Sequence, residues 1–340
     1  MLKLKIGLPA LAVVAAVSWP LVVTAGGTAP RYQLVDRIAG PDGLWDYASV
    51  DAGTRHLYVG KKGGLVSLDL ATPNAKPVML FKSIVVHQAL PFDSGRLIAT
   101  GGPSDQAFIL DGKSGALLAT IATGKDPDAV AFDRKTRRAV TFNRGDSSAT
   151  VIDVDRASVV ATISLPSKAE FPIGDGAGLV YVNLEHAVAV IDVAQAKIVR
   201  TYPLGTCEDP TGLALDKRTT LLISACGNGF ANIMTTAGRQ VARLKVGPEP
   251  DAAFVDERRR VAFIPSGATG TLSVISLANP HAPKVVQTLT TQPEARTGAV
   301  DPATGTVYLP VGKLLPPATG EKWPSVVPGT FQLLVVRPRS

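Results

Sequence analysis

A short apolar run that ends in an aspartate, Ala129-Val-Ala-Phe-Asp133, recurs along the chain with a polar turn after each copy. The other copies are Tyr47-Ala-Ser-Val-Asp51, Ala89-Leu-Pro-Phe-Asp93, Phe171-Pro-Ile-Gly-Asp175, Gly212-Leu-Ala-Leu-Asp216, Ala252-Ala-Phe-Val-Asp256 and Gly298-Ala-Val-Asp301. Successive aspartates are 42, 40, 42, 41, 40 and 45 residues apart. Seven copies at a nearly constant interval indicate a repeat protein with units of about 41 residues.

The units carry three further strand-like runs, rich in β-branched residues and bounded by turn residues. In the fourth unit they are Val180-Tyr-Val-Asn183, Val190-Ile-Asp192 and Ile198 to Tyr202. Four strands in about 41 residues are typical of one blade of a β-propeller. The sequence therefore predicts an all-β fold, a seven-bladed β-propeller with four-stranded blades.

The last unit lacks its own fourth run, and an unpaired strand-like run, Tyr32 to Ile38, precedes the first unit. We expect this N-terminal strand to close the last blade, because pairing the two ends of the chain protects edges that would otherwise stay open. The expected domain is a single propeller over residues 26–340.

Composition agrees with a turn-rich globular protein. The 340 residues are 46% hydrophobic and 19% charged, with 32 Gly and 26 Pro, which excludes a disordered chain. Two Cys are too few for a disulfide-rich scaffold or a four-cysteine zinc site, and four scattered His exclude a histidine-rich metal cluster.

The first 25 residues resemble an export signal. Lys3 and Lys5 precede an apolar stretch from Leu8 to Val23, and small residues up to Ala25 are suited to signal peptidase. We expect a signal peptide over residues 1–25 and a periplasmic or secreted protein, with an uncleaved anchor as the alternative. No other segment could cross a bilayer, so the mature chain is not expected to be an integral membrane protein. A monomer is expected.

Repeats such as Leu57-Tyr-Val-Gly60 and Val180-Tyr-Val-Asn183, each followed by a strand like Val190-Ile-Asp-Val193, resemble the YVTN-repeat β-propeller family. Within it, the chain is similar to exported bacterial YncE-like proteins from about Tyr32 to Arg337, including the long last-blade segment. The resemblance implies the propeller fold and export, and it implies DNA binding for some members. Lactonases, amine-dehydrogenase heavy chains and haem d₁ proteins are more distant propellers of the same shape.

The loops that lead into the first strand of each blade are expected on one face, here called the channel face, together with the loops between second and third strands. The leading loops carry ten carboxylates against Lys125, Lys168 and Arg296, which predicts an acidic ring. Such a ring would attract a cation or polar ligand, or its members would simply cap turns in water. The candidate ligand-binding residues are Trp45, Asp46, His87, Asp126, Asp128, Glu170, Glu208, Asp209, Glu249, Asp251, Glu294 and Arg296.

Catalysis has no recognisable motif, so no catalytic residue is assigned. His87 is the only His in a leading loop. It could form hydrogen bonds, bind a metal or act as a base, but a channel-lining role is favoured. The favoured function is therefore a non-catalytic propeller that binds a small ligand or a periplasmic protein at its channel face. The alternative is an enzyme, a lactonase-like metal-assisted hydrolase or an accessory to redox-cofactor chemistry, with a divalent cation held by carboxylates such as Glu208 and Glu249.

The opposite face, here called the basic face, carries the turns between first and second strands. These turns contain Arg55, Arg96, Arg134, Lys135, Arg137, Arg138, Lys217, Arg218 and Arg258 to Arg260. Clustered cations could contact the phosphates of nucleic acid, which makes a DNA-binding propeller a further alternative. No aromatic residues lie between them for base stacking, so a solvated surface is favoured.

Two local predictions complete the sequence analysis. Residues Val311 to Thr330 form the longest interval between second and third strands, and their prolines predict an irregular lid over the channel mouth with Trp323 near its tip. Cys207 and Cys226 lie almost opposite each other at the open end of the fifth blade's first hairpin if its partners sum to about 435. We expect them to form a disulfide after export, with two free thiols as the alternative.

Overall fold

The chain folds into seven four-stranded antiparallel blades arranged as a β-propeller, as predicted. The computed structural model describes Met1 and residues 29–93, 95–320 and 323–339. Apart from Met1, the predicted signal peptide over residues 1–25 lies outside the described residues. Among the described residues, no helix is both long enough and apolar enough to span a membrane.

The blades follow one another in chain order. Blade 1 consists of β2 (Trp45–Asp51), β3 (His56–Asp69) and β4 (Val78–Val85). Blade 2 consists of β5 (Ala89–Asp93), β6 (Arg96–Thr100), β7 (Gln106–Asp111) and β8 (Leu117–Ala122). Blade 3 consists of β9 (Pro127–Asp133), β10 (Arg138–Asn143), β11 (Ser148–Asp153) and β12 (Ser158–Ser164). Blade 4 consists of β13 (Ala169–Gly174), β14 (Leu179–Leu184), β15 (Ala187–Asp192) and β16 (Lys197–Pro203). Blade 5 consists of β17 (Pro210–Asp216), β18 (Leu221–Cys226), β19 (Phe230–Thr235) and β20 (Gln240–Lys245). Blade 6 consists of β21 (Phe254–Asp256), β22 (Val261–Ser266), β23 (Thr271–Ser276) and β24 (Lys284–Thr290). Blade 7 consists of β25 (Ala299–Val300), β26 (Val307–Val311), β29 (Gln332–Pro338) and β1 (Tyr32–Ala39).

Blade 1 differs in one respect, because β3 serves as both its second and its third strand. The first half of β3 pairs with β2 and the second half pairs with β4. Gly63 and Gly64 mark the change of partner with φ values of 97° and 136°, which side chains other than glycine rarely adopt.

The N-terminal strand closes the ring, as predicted. β1 is the outermost strand of blade 7 and pairs antiparallel with β29, from Tyr32 opposite Pro338 to Ala39 opposite Gln332. The Gln287 side chain accepts a hydrogen bond from the Tyr32 backbone N–H and donates one to its carbonyl, both 2.7 Å long. Blade 6 is thereby joined to the closing strand.

Most of the recurring aspartates of the sequence pattern cap turns. Asp133 accepts hydrogen bonds from the Thr136 backbone N–H and hydroxyl, at 2.9 and 2.6 Å. Aspartates at the ends of third strands act in the same way, since Asp111 binds the N–H and hydroxyl of Ser114. These bonds satisfy backbone donors that each tight turn leaves unpaired.

Cys207 and Cys226 form a disulfide with their Cα atoms 5.2 Å apart, which confirms that prediction. The predicted register was slightly wrong. Leu213 lies opposite Ser224, and after an irregularity Pro210 lies opposite Cys226, so Cys207 belongs to the preceding loop and not to the paired strand. That loop folds back far enough for the Glu208 carbonyl to accept a hydrogen bond from Gly227 N–H.

Residues Val311 to Thr330 contain a short ladder that was not predicted. Leu314–Leu315 (β27) pairs with Ser325–Val326 (β28), so this segment is not wholly irregular. Val326 also packs against the core cluster that contains Trp45 and Phe331. The prolines that argued against an extra strand lie outside these two pairs, at Pro316, Pro317, Pro324 and Pro328.

Candidate functional site

His87 occupies the centre of the channel face, in the loop between β4 and β5. Its backbone is fixed on both sides, because its N–H donates to Thr100 and its carbonyl accepts from Tyr47 N–H. Two glycines allow this close packing: a Cβ on Gly60 would collide with the His87 carbonyl, and one on Gly102 would collide with the imidazole. Gly102 begins a 3₁₀ turn, Gly102–Ser104, in the loop after β6.

Carboxylates from blades 1 and 3 surround the imidazole. His87 Nδ1 lies 2.6 Å from Asp46 Oδ2 and 3.4 Å from Asp128 Oδ1, and Nε2 lies 3.8 Å from Asp126 Oδ1. Arg144 adds a second cation, since its Nη1 lies 3.9 Å from Asp128 Oδ2. These five residues form an ion-paired group, here called the His87 cluster.

The His87 cluster favours the protonated imidazole. Burial opposes protonation, but the neighbouring carboxylates of Asp126, Asp46 and Asp128 outweigh it and raise the pKa of His87 to about 10. For Asp128, burial and the charge of Asp46 raise the pKa, whereas His87 and Arg144 act against that rise. The cluster therefore favours a cationic His87, whose closest partner is Asp46.

A second ion-paired group lies beside the first and joins blades 6 and 7 to blade 1. Arg296 Nε lies 3.1 Å from Asp251 Oδ2, and its Nη1 lies 3.4 Å from Glu294 Oε2. The guanidinium also lies 5.7 Å from the ring of Trp45. Burial raises the pKa of the Asp251 carboxyl, against the opposing charge of Arg296.

Tyr47 and Phe171 meet across the channel. They come from the innermost strands of blades 1 and 4, which lie on opposite sides of a seven-bladed ring, and their ring centroids are 4.8 Å apart. Burial, followed by the charges of Asp128 and Asp251, raises the pKa of the Tyr47 hydroxyl. Glu170, the residue before Phe171, is ion-paired with Lys168.

A cavity of about 720 Å³ opens above these groups on the channel face. Its charged lining contains four carboxylates, those of Asp46, Asp126, Glu249 and Glu294, and four basic groups, those of Lys62, His87, Arg144 and Arg296. Its apolar lining comes from Leu44, Trp45, Ile84, Val85, Pro103, Leu314, Trp323 and Pro324.

Trp323 lies at the rim of this cavity, on the channel face. Its side chain is 46% exposed and its ring lies 6.0 Å from the Arg144 guanidinium. Ile84, from β4, is 68% exposed on the same cavity. Two large apolar side chains are thus presented to solvent beside a dense group of charges.

The candidate residues Glu208 and Asp209 do not line the cavity that contains His87. Glu208 and Asp209 are exposed and line a neighbouring cavity of about 450 Å³ together with Glu249, which borders both cavities. Neither of the two carboxylates named for metal-assisted hydrolysis, Glu208 and Glu249, belongs to the His87 cluster, and Glu208 lines only the neighbouring cavity. Asp42, the tenth carboxylate of the ring, accepts hydrogen bonds from the N–H groups of Gly329 and Phe331 and fixes the end of the lid.

The acidic ring is more nearly neutral than the leading loops indicated. Lys62 and Arg144 come from the regions between second and third strands, which were assigned to this face but not included in the charge count. Including these regions would have revealed both cations. The Tyr47–Phe171 contact had no signal in the sequence, because it depends on the width of the channel.

The cations of the basic face are largely engaged within the fold. Arg137 pairs with Asp93 at 2.7 Å and with Asp155 at 2.6 Å, and Arg55 pairs with Asp301 at 2.6 Å. Arg138, Arg218, Arg258 and Arg260 donate to backbone carbonyls, in several cases across neighbouring blades. These cations stabilise contacts between turns.

One group of side chains among the described residues has the spacing of a metal site. Ligand atoms of Asp46, His87 and Asp128 all lie within 4.8 Å of one another. His87 could ligate a cation only after losing its proton, and its raised pKa opposes that loss. The three residues thus fit a cation poorly at neutral pH and better as pH rises.

No protein-family model matches the chain, and no curated protein matches it. Among solved structures, the WD40 repeats of RRP9 superpose with a TM-score of 0.75 at 12% identity, over 92% of this chain and 99% of that one. U3-55K gives 0.74 at 11% identity, over 91% and 99%, and hydrazine synthase of Kuenenia stuttgartiensis gives 0.66 at 13% identity, over 80% and 94%. At these identities the likeness shows the β-propeller fold alone.

Proposed function

We propose that this protein is an exported, non-catalytic propeller that binds a small ligand or a short segment of a partner protein in the cavity beside Trp323. The observation that supports it best is the lining of that cavity, in which four carboxylates and four basic groups lie beside the exposed side chains of Ile84 and Trp323. Its volume of about 720 Å³ lies within the range of about 300–1,000 Å³ typical of small-ligand sites.

The lining favours a ligand that carries both charges and an apolar group. Arg144 can bind a carboxylate, Glu249 can bind an ammonium group, and Trp323 can pack on an aliphatic side chain. A free peptide with an apolar side chain has all three features. The balanced charge favours such a zwitterion over a simple cation.

Two further observations support binding without catalysis at an exported location. His87, the group best suited to proton transfer, is held in its protonated form by carboxylates and is not poised as a free base. The expected signal peptide supports export. The resemblance to exported YVTN-repeat proteins supports both export and membership of the YVTN-repeat family.

Tryptophan fluorescence offers a direct test. The chain has three tryptophans, and cleavage after Ala25 removes Trp19 and leaves Trp45 and Trp323, both of which line the cavity. We expect leucine-containing di- and tripeptides to change the fluorescence saturably and their N-acetylated amides to bind at least about tenfold more weakly, since a lost charged hydrogen bond costs about 1.5–3 kcal/mol.

A Trp323→Ala variant, followed by calorimetry, should weaken peptide binding about tenfold, because a large apolar contact is removed. Leu117→Ala is the matched control, since Leu117 is an equally exposed apolar residue on the outer strand β8. The proposal would be refuted by peptides that bind neither variant nor the unaltered protein, or by equal losses in both variants.

Metal-assisted hydrolysis remains a second candidate because Asp46, His87 and Asp128 have cation-site spacing. Calorimetric titration with Ca²⁺ and Zn²⁺ at pH 6 and pH 9 tests it. Stoichiometric binding at pH 9 that His87→Gln abolishes would favour this candidate, whereas no binding at either pH would remove it.

A further inference from the structure

A second, smaller cavity lies at the other end of the channel, towards the basic face. It has a volume of about 220 Å³ and lies between the innermost strands β5, β9 and β13. Phe171, whose ring contacts Tyr47 across the channel, forms part of its wall. This cavity shares no lining residue with the cavity beside Trp323.

Most of its wall is apolar. Aliphatic side chains come from Leu90, Val130 and Ile173, and aromatic rings come from Phe132 and Phe171. Phe132 is held in place by Phe92, with ring centroids 5.4 Å apart. Such a wall favours a compact apolar group over bulk water.

One polar side chain in this wall has an unused donor. Gln88 is 3% exposed, and its Oε1 accepts a 2.7 Å hydrogen bond from Val130 N–H. Because a backbone N–H can only donate, the oxygen must face Val130 and the NH₂ group must lie on the other side. That NH₂ donates to no other group among the described residues, so it is available to an occupant of the cavity.

Two cations stand at the opening of the same cavity. Arg134 and Lys217 follow the innermost strands of blades 3 and 5, and both are exposed. Unlike Arg137 and Arg55, neither has a carboxylate within ion-pairing distance among the described residues. The polar side-chain groups that Gln88, Arg134 and Lys217 offer to an occupant are therefore hydrogen-bond donors, and two of them are positively charged.

We propose that this cavity binds a small organic anion with a compact apolar body, of the class of an aromatic or branched-chain carboxylate. The apolar body would lie between Phe132 and Phe171, the Gln88 NH₂ would donate to the anionic group, and Arg134 and Lys217 would neutralise it. An apolar protein cavity of roughly 150 Å³ is known to hold benzene, so about 220 Å³ accommodates one ring with its carboxylate. This site is independent of the peptide site proposed above.

Three probes test it on the whole exported protein: benzoate, phenyl phosphate and benzyl alcohol, each titrated at low salt by ligand-observed NMR. We expect saturable benzoate binding and at least about fivefold weaker binding of benzyl alcohol, which has the ring without the charge. Phenyl phosphate distinguishes the anion, since tighter binding than benzoate would assign a phosphate ester. Equal binding of benzoate and benzyl alcohol, or no saturable binding of either anion, would overturn the proposal.

Variants locate the binding. Lys217→Met should weaken benzoate binding about two- to fivefold, and Gln88→Leu should weaken it about tenfold while benzyl alcohol is less affected. Lys135→Met is the control, because Lys135 is an exposed neighbour that does not line the cavity. Should Gln88→Leu fail to fold, Lys217→Met against Lys135→Met still decides: equal losses would mean general attraction to a basic surface and would contradict the site.

Discussion

His87 shows how a single residue can have a clear chemical type and an unexpected role. As the only histidine in a leading loop it invites assignment as a base or a metal ligand. In the structure it carries the positive charge that lets Asp46, Asp126 and Asp128 lie together in a largely buried space. A cluster of this kind costs much to disrupt, because removal of one member leaves buried charges uncompensated.

The effect of pH on stability tests this role. The carboxylates raise the pKa of His87 to about 10, above the value of about 6.5 in an unfolded chain. Its contribution to the free energy of unfolding is therefore complete below about pH 6.5 and declines as the pH rises through about 10. We expect His87→Gln to lower the free energy of unfolding by about 2 kcal/mol at pH 6 and by clearly less at pH 10.

Urea denaturation at both pH values measures this difference, with His281→Gln as the control, since His281 is exposed and distant in sequence. A deficit in His87→Gln that is the same at pH 6 and pH 10 would mean that the charge on His87 contributes nothing to the fold.

Asp42 offers a second test at a single residue. It is one of the ten carboxylates counted in the leading loops, and it accepts hydrogen bonds from Gly329 N–H at 2.7 Å and Phe331 N–H at 3.3 Å. We expect Asp42→Ala to speed hydrogen exchange at these two amides about tenfold, which corresponds to about 1.4 kcal/mol, with little change in the melting temperature. Asp209→Ala, also an exposed carboxylate in a leading loop, should leave both amides unchanged; similar acceleration in both variants would contradict the anchoring role.

At the level of elements, the aspartate at the end of each first strand explains why the blades could be delimited from sequence. In most blades its side chain caps the following turn, as Asp133 does for Thr136, so its position is set by the turn and not by the ligand. The lid was harder to predict. Its four prolines indicated an irregular loop, yet Leu314 and Leu315 still find two partners in Ser325 and Val326.

That ladder changes how the lid should be tested. Deletion of residues 321–326 would remove more than a cover over the cavity, because Val326 pairs with Leu314 and packs on the core. Trp323→Ala is the cleaner variant, because Trp323 is half exposed.

The disulfide is the element-level feature with the largest expected contribution to stability. Cys207 and Cys226 are 19 residues apart, and closing a loop of that length stabilises by about 3 kcal/mol in the chain-entropy model. For a propeller of this size we expect the reductant dithiothreitol to lower the melting temperature by about 5 °C. The double variant Cys207→Ala/Cys226→Ala should melt at the reduced temperature and show no response to reductant. Two thiols that are freely alkylated in the denatured, unreduced protein would contradict the bond.

At the scale of the whole molecule, periodic features could be predicted and convergent ones could not. The number of blades, the order of the strands and closure by Tyr32 to Ile38 could be predicted because the same strand pattern recurs in each unit. The meeting of Tyr47 with Phe171 depends on the width of the channel. The meeting of Asp46 with Asp128 depends on how blades 1 and 3 are placed on either side of His87. Arg144 and Lys62 were predictable only in part. The segments that carry them could be assigned to the channel face, but the directions in which their side chains point could not be predicted.

Ring closure gives the prediction that belongs to the whole fold. β1 pairs with β29 along its length, and the Gln287 side chain forms two hydrogen bonds to the Tyr32 backbone. A chain that begins at Gly40 would lose this strand and expose the edge of β29, whose side chains from Leu333 to Val336 are buried in the core. Such an edge pairs readily with other chains, so we expect oligomers or aggregates on gel filtration and no cooperative melting transition.

A chain that begins at Ala29 is the control, because it retains β1 and should melt cooperatively as a discrete species. Gln287→Leu lies between the two: it keeps the strand but leaves two buried backbone groups of Tyr32 unpaired, and we expect a loss of about 2–4 kcal/mol in the free energy of unfolding. If the chain that begins at Gly40 stayed discrete and melted at the same temperature as the control, blade 7 would be stable with three strands. The closing strand would then protect the edge of β29 without being required for the ring to form.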